Sequence, residues 1–276
     1  MSANNIAGDK TVNSHANDLS RQVTLQLSSE QYERLFFQPS QAKGDLSKRL
    51  GNPTLLGVLG FIIPFTTIVL SFLQFEGSST SSVASICPYF YFFGGIAMNI
   101  AGIAEFILGN TFPFVAFVIY GTHWVALAYT SDPTNSIISS YADATTKLPG
   151  LLSQEFNAGQ GNYNLVMALV SFVFLCGAIR TNVPFVILFV SLVLLFSFVS
   201  AAYYQLGYQG IAGLTHATHY FRIAGGIGFV GVVAGWYLTL IQVLAATGVP
   251  IPLPIFDLSH LVFPNATQEQ KAEHAD

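Results

Sequence analysis

The stretch GNPTLLGVLGFIIPFTTIVLSFLQF, residues 51–75, decides the fold class. From Thr54 onward it carries no charge over a length that suffices, as a helix, to cross the roughly 30 Å of hydrocarbon in a bilayer. It opens on Asn52-Pro53 and has Gly57 and Gly60 inside the run. Proline and glycine are poor helix formers in water, yet here they stand where a helix must begin. Asn is a strong N-cap, and Pro at the first helical position gives up an N–H that would be unpaired anyway. The pair therefore reads as a start signal. Gly57 and Gly60 then thin one face of the first turns, so that another helix or a solute can approach. The free amides of such a start favour an anion, a small carboxylate in particular.

The rest of the chain follows the same pattern. Apolar runs recur at roughly 88–108, 112–130, 163–179, 183–204 and 221–246, each bounded by polar or turn-forming residues. With 54–75 they make six candidate spans. Barrel strands would be half as long and would alternate polar with apolar residues. The expected fold is an all-α membrane protein, a six-helix bundle. Composition agrees: 9% of the 276 residues are charged, against about 25% in ordinary soluble domains. Two cysteines are too few for a disulfide framework or a cysteine-rich metal site. A net charge of −4 gives no reason to expect nucleic acid as a partner.

Orientation comes from the basic residues. Six of them precede the first span, and six spans place both termini on one side. That side also receives Arg180 and Lys271, so it holds eight of the ten, against Lys147 and Arg222 opposite. Basic residues favour the cytoplasm, so both termini are predicted cytoplasmic and the 131–162 loop faces outward. Three parts follow. Residues 1–50 form a mostly disordered cytoplasmic tail, 51–248 the transmembrane domain, and 249–276 a C-terminal tail. Within the first tail, SSEQYERLFFQP (28–39) pairs a Ser28/Gln31 capping box with Tyr32, Leu35 and Phe36 on one face, which predicts a short amphipathic helix near 28–38.

Small residues crowd the second span (Gly94, Gly95, Ala97, Ala101, Gly102) and the sixth (Gly225, Gly228, Gly231, Gly235). In lipid they let helix backbones approach closely, which predicts a tight bundle and is compatible with a homo-oligomer. Ionisable residues inside spans are a sharper signal, because each costs at least about 2.5 kcal/mol at the bilayer centre. Two sit clearly inside. Glu105 is either a buried proton acceptor or an interfacial group bonded to Asn110 or Thr111. His123 is either a proton relay or a neutral ring bonded to a neighbouring helix. They lack the spacing and companions of a metal site, and no nucleophilic triad or phosphate loop is visible, so neither a cofactor nor an enzyme is expected.

Two blocks carry a family resemblance. NPTLLGVLGFIIPFTTIVLS (52–71) resembles the signature of the acetate uptake transporter family of bacteria and fungi, Asn-Pro-Ala-Pro-Leu-Gly-Leu followed by a Gly-Phe and a Thr-Thr pair. YFFGGIAMNIAGIAEFILGNTFPFVAFVIYGTHW (91–124) is similar to that family's second and third helices. It matches at Gly94-Gly95, Ala101-Gly102, Glu105, Gly109-Asn110-Thr111-Phe112, Tyr120-Gly121 and Trp124. The 28–39 segment resembles the tail of fungal members, and RIAGG (222–226) and GWY (235–237) echo the last helix.

The resemblance implies a plasma-membrane transporter or channel for acetate or a related short monocarboxylate, coupled to protons. It also implies a hexamer in which each subunit encloses its own path. Three side chains narrow that path, and by position they are Phe61, Tyr120 and Leu192. Asn52, Pro53, Gly57, Thr66, Thr67 and Asn99 carry over as motif or substrate-binding positions, and Glu105 and His123 as candidates for proton coupling. The chain departs from the pattern at Leu55 for the second Pro, Met98 for a Gln, and His123 for an aromatic. Two rivals remain: export of ammonia or ammonium by a relative of the same family, and a membrane sensor of acetate that no longer transports.

Overall fold

The computed structural model describes residues 50–249, 251 and 253–258. The expected helix near 28–38 lies outside them. Among the described residues, five helical stretches are long and apolar enough to cross a membrane: Thr54–Phe72, Thr80–Leu108, Thr111–Ser131, Gln154–Ala178 and Val183–Ala246. We call the first α1. The second is composite, with α2 (Val83–Tyr89) and α3 (Met98–Leu108) joined by π-helical turns at Phe90–Ala97. The third and fourth are α4 and α5. The last, 64 residues long, is two α-helices, α6 (Val183–Gln209) and α7 (Leu214–Ala246), joined by a tight turn. Gly210 makes that turn possible, since its φ of 56° is costly for any residue with a Cβ.

α1 begins one residue later than the sequence implies. Pro53 already has helical angles (φ −77°, ψ −14°), but the first helical residue is Thr54. Asn52 still does the capping: its Oδ1 accepts the Thr54 N–H at 2.8 Å. Such a cap contributes about 1 kcal/mol. Pro64, inside α1, lacks an N–H and so leaves the Gly60 carbonyl without its helical donor; nearby, Thr66 donates to the Ile62 carbonyl and Thr67 to that of Pro64.

The small residues explain the packing. A Cβ at Gly225, Gly228, Gly231 or Gly235 of α7 would meet Phe72 and Leu73, then Val69, then Phe65, then Ile62 of α1. As numbers rise on α7 they fall on α1, so the two helices are antiparallel. The same glycines meet Leu195, Ser191 and Leu188 of α6, again in falling order. On the other side of α1, Gly57 receives the ring of Phe117 from α4, and Gly60 receives Met98 of α3. Both glycines of the opening motif therefore admit helices. Gly94 and Gly95 sit under Trp124 and Val125 of α4.

Hydrogen bonds tie α4 to α5, and α6 packs against both α5 and α7. The result is a ring of α1, α4, α5, α6 and α7, with α2 and α3 packed outside α1 and α4. The outer face of that pair is a wall of Phe92, Ile96, Ile100, Ile103, Phe106 and Ile107, all exposed.

Several helices extend beyond the sequence-based spans: the composite stretch starts at Thr80, eight residues before 88, and α6 ends at Gln209, five beyond 204. α5 starts nine residues before 163, and α7 starts seven before 221. Hydropathy windows leave out QEFNAGQGNYN (154–164) because it is polar, but a helix facing a cavity need not be apolar all round. Ser153 caps it, its side chain accepting the Phe156 N–H. At the opposite end, the 253–258 segment folds back on the α5–α6 turn. Val183 donates to the Phe256 carbonyl and Leu258 to that of Thr181, and Ile255 is buried.

Candidate functional site

Within the helical ring lies a cavity of about 810 Å³. It runs from the loop end of the bundle, at Ser131–Ser139 and Pro149–Leu152, inward to Phe61, Tyr120 and Leu192. All five ring helices contribute. The wall is mainly apolar and aromatic, with Phe65, Phe196, Tyr203 and Phe221 among its residues. Its polar side comes from α5, where Asn157, Gln160, Tyr163 and Asn164 line it.

The structure brings the three expected constriction residues together at this cavity, all three buried. Phe61 meets Tyr120 edge to face with centroids 5.7 Å apart, and lies 6.1 Å from Trp124. Trp124 in turn stacks on Phe90 at 5.1 Å. The Tyr120 hydroxyl is 2.8 Å from Ser171 Oγ. His123 lines the cavity one position before Trp124, with Nδ1 2.8 Å from the hydroxyl of Tyr163 and its ring stacked on that tyrosine.

The remaining candidates lie elsewhere. Glu105 is wholly buried but does not line the cavity. Its carboxylate accepts the Thr54 hydroxyl at 2.5 Å and the Asn110 amide at 2.6 Å. A carboxylate of the protein itself thus sits at the N-terminus of α1, where the helix dipole favours negative charge. The Asn52 side chain takes the Thr54 amide. The helix start that the sequence offered to an anionic solute is occupied by these two side chains. Thr66 accepts the Trp236 N–H at 3.0 Å and so joins α1 to α7, while Thr67 bonds within its own helix. Asn99 lies over Gly121 and donates to the Gly95 carbonyl at 2.6 Å, a group that the Met98 N–H also approaches. Met98 and Glu105 share a face of α3, both buried against α1.

Sequence reasoning missed the α5 contribution. Asn157, Asn164 and Ser171 recur every seven residues, and all three are buried. That stripe was visible in the sequence as a polar face on one helix. The Thr54–Glu105 bond had no such signal, because 51 residues separate its partners.

A family model described as GPR1/FUN34/yaaH family matches residues 36–260. The chain belongs to that family. Among its relatives, "Protein alcS" of Aspergillus fumigatus is 35% identical over 239 residues, covering 86% of each chain. "Ammonia transport outward protein 2" of Saccharomyces cerevisiae is 30% identical over 191 residues, covering 68% of this chain and 60% of that protein. A solved structure titled "Structure of the bacterial acetate channel SatP" superposes with a TM-score of 0.56 at 25% identity, covering 75% of this chain and 99% of that one. The chain is therefore an all-α membrane protein of a transporter and channel family. The expected resemblance to acetate transporters stands.

Proposed function

We propose that the protein carries acetate or a related short monocarboxylate across the plasma membrane. The observation that supports this most is the cavity itself, which runs from the loop end of the bundle to Phe61, Tyr120 and Leu192, the three residues expected to form its constriction. A ring of apolar and aromatic side chains of this kind gates by dewetting. The 64-residue stretch crosses twice, which makes six spans with both termini cytoplasmic and the cavity open to the outside. A proton moves with the solute. The apolar outer wall of α2 and α3 suits lipid or a neighbouring copy in a homo-oligomer.

Uptake of labelled acetate by cells lacking their own carriers tests the reading. Uptake clearly above empty vector is expected. Uptake equal to empty vector, with the protein confirmed at the surface, rejects it.

One observation favours a second reading, ammonium export. Among the described residues, the cavity lining includes no Lys or Arg, and its one carboxylate is Asp132 at the rim. The amide and then the hydroxyl of Thr134 hold that carboxyl below the usual carboxylate range, which favours a negative rim. Alkalinisation of the medium without carboxylate uptake is the result expected of that reading.

A further inference from the structure

We propose that the species received at the inner end of the cavity is the undissociated acid, held between the indole N–H of Trp124 and the hydroxyl oxygen of Tyr120. The inference rests on the carboxylate reading above and specifies the form in which the solute passes.

Among the described residues, three side chains have buried polar atoms with no hydrogen-bond partner in the protein: Trp124, Asn157 and Gln242. Two of them, Trp124 and Asn157, line the cavity. The indole N–H can only donate, so what satisfies it must accept. Its neighbour four residues earlier has the opposite need. Ser171 donates its single hydroxyl hydrogen to the Met167 carbonyl at 2.8 Å. The Tyr120–Ser171 bond then takes its proton from Tyr120, which leaves lone pairs on the Tyr120 oxygen. Residues four apart share a helical face, and both rings flank Phe61. The closed inner end thus holds, both buried, one unpaired donor and one acceptor beside an aromatic wall, and a solute reaches them as the Phe61 ring gives way.

Three forms of solute can be compared with that pair. A carboxylate offers acceptors only and brings a charge into a lining without Lys or Arg, where burial without a counter-charge is costly. Ammonium offers donors only and leaves the indole unpaired. The undissociated acid offers a carbonyl acceptor and an O–H donor, and carries no charge. Asn157 Oδ1, nearer the mouth, is a further acceptor for the same O–H, because its own amide donates to the Leu151 and Ser153 carbonyls. The other titratable groups of the lining are Asp132, His123, Tyr163 and Tyr203. On this account the proton crosses on the solute, and no carboxylate of the protein has to lie on the path.

Acetamide provides the test, because it has the same carbonyl acceptor, keeps donor hydrogens, and does not ionise. The full chain in proteoliposomes is assayed for labelled acetate uptake with acetamide as competitor, at several pH values across which the acid ionises. Measured above protein-free liposomes at trace acetate, acetamide is expected to inhibit at a concentration that does not change with pH, while this protein-dependent uptake follows the undissociated fraction. Trp124→Phe keeps the stack on Phe90 and removes only the N–H, so both acetate uptake and acetamide inhibition should weaken by about tenfold. Acetate flux that acetamide leaves untouched overturns the inference and leaves acetate transport standing. So does wild-type flux and inhibition in Trp124→Phe. No acetate flux in the unaltered protein overturns the transport reading and this one with it. Should the variant fail to fold, the acetamide competition on the unaltered chain decides by itself.

Discussion

The two ends of the bundle use polar side chains in opposite ways. At the end where α1 begins, Asn52, Thr54, Glu105 and Asn110 satisfy one another, and Asn182 caps α6 by accepting the Phe185 N–H. At the cavity end, His123 and Tyr163 or Tyr120 and Ser171 bond in pairs, while Trp124 and Asn157 keep unpaired atoms. The first arrangement is a clamp, and the second leaves polar atoms free for the solute of the proposed function. Burial alone does not separate them, since Glu105 is as buried as any group at the cavity. The distinction lies in whether each polar atom already has its partner.

The largest test of this contrast is at the clamp. Glu105→Ala strips the Thr54 hydroxyl and the Asn110 amide of their acceptor, and should destabilise the protein by about 2–3 kcal/mol, read as a fall in Tm in detergent. Glu105→Gln keeps an acceptor oxygen and should lose much less. If Glu105→Gln abolished flux at an unchanged Tm, the clamp would belong to the pathway and the contrast would break.

A smaller effect is expected at His123. His123→Phe removes the bond to Tyr163 but keeps an aromatic ring against Phe196, a loss of about 1 kcal/mol for an interhelical bond in lipid. The pH dependence of uptake should be unchanged. A lost pH dependence would make His123 a proton relay.

The smallest effect is expected at Gln242. It lies on α7 seven residues beyond Gly235, buried, with both side-chain atoms unpaired, and it is the exception at the clamp end. Replacing an unpaired buried amide by an apolar group of similar size is close to neutral or stabilising, so Gln242→Leu should hold or raise the Tm with flux intact. Collapse of flux would mark a second polar station on the inner side.

Much of this was legible beforehand. The run from Thr54 and its successors implied a helical membrane bundle, because lipid allows the backbone few other solutions. Asn52-Pro53 was readable as a cap because capping is local. Gly225, Gly228, Gly231 and Gly235 announced close packing, though not that α1 and α6 would fill their grooves. The candidate site was legible only in part. Phe61, Tyr120 and Leu192 came from resemblance, and the polar stripe of α5 was hidden because a hydropathy window averages over the helix and cannot tell a lipid face from a cavity face.

Features with local causes are written in the chain: apolar length, caps, small-residue faces and the polar spacing along α5. Which polar atoms meet depends on how the helices pack. Glu105 finds Thr54 across 51 residues and Tyr120 finds Ser171 across another 51, while the Trp124 indole N–H finds no hydrogen-bond partner among the described residues. A hydrogen bond depends on positions to within a few tenths of an ångström, and those are fixed only when the helices have packed.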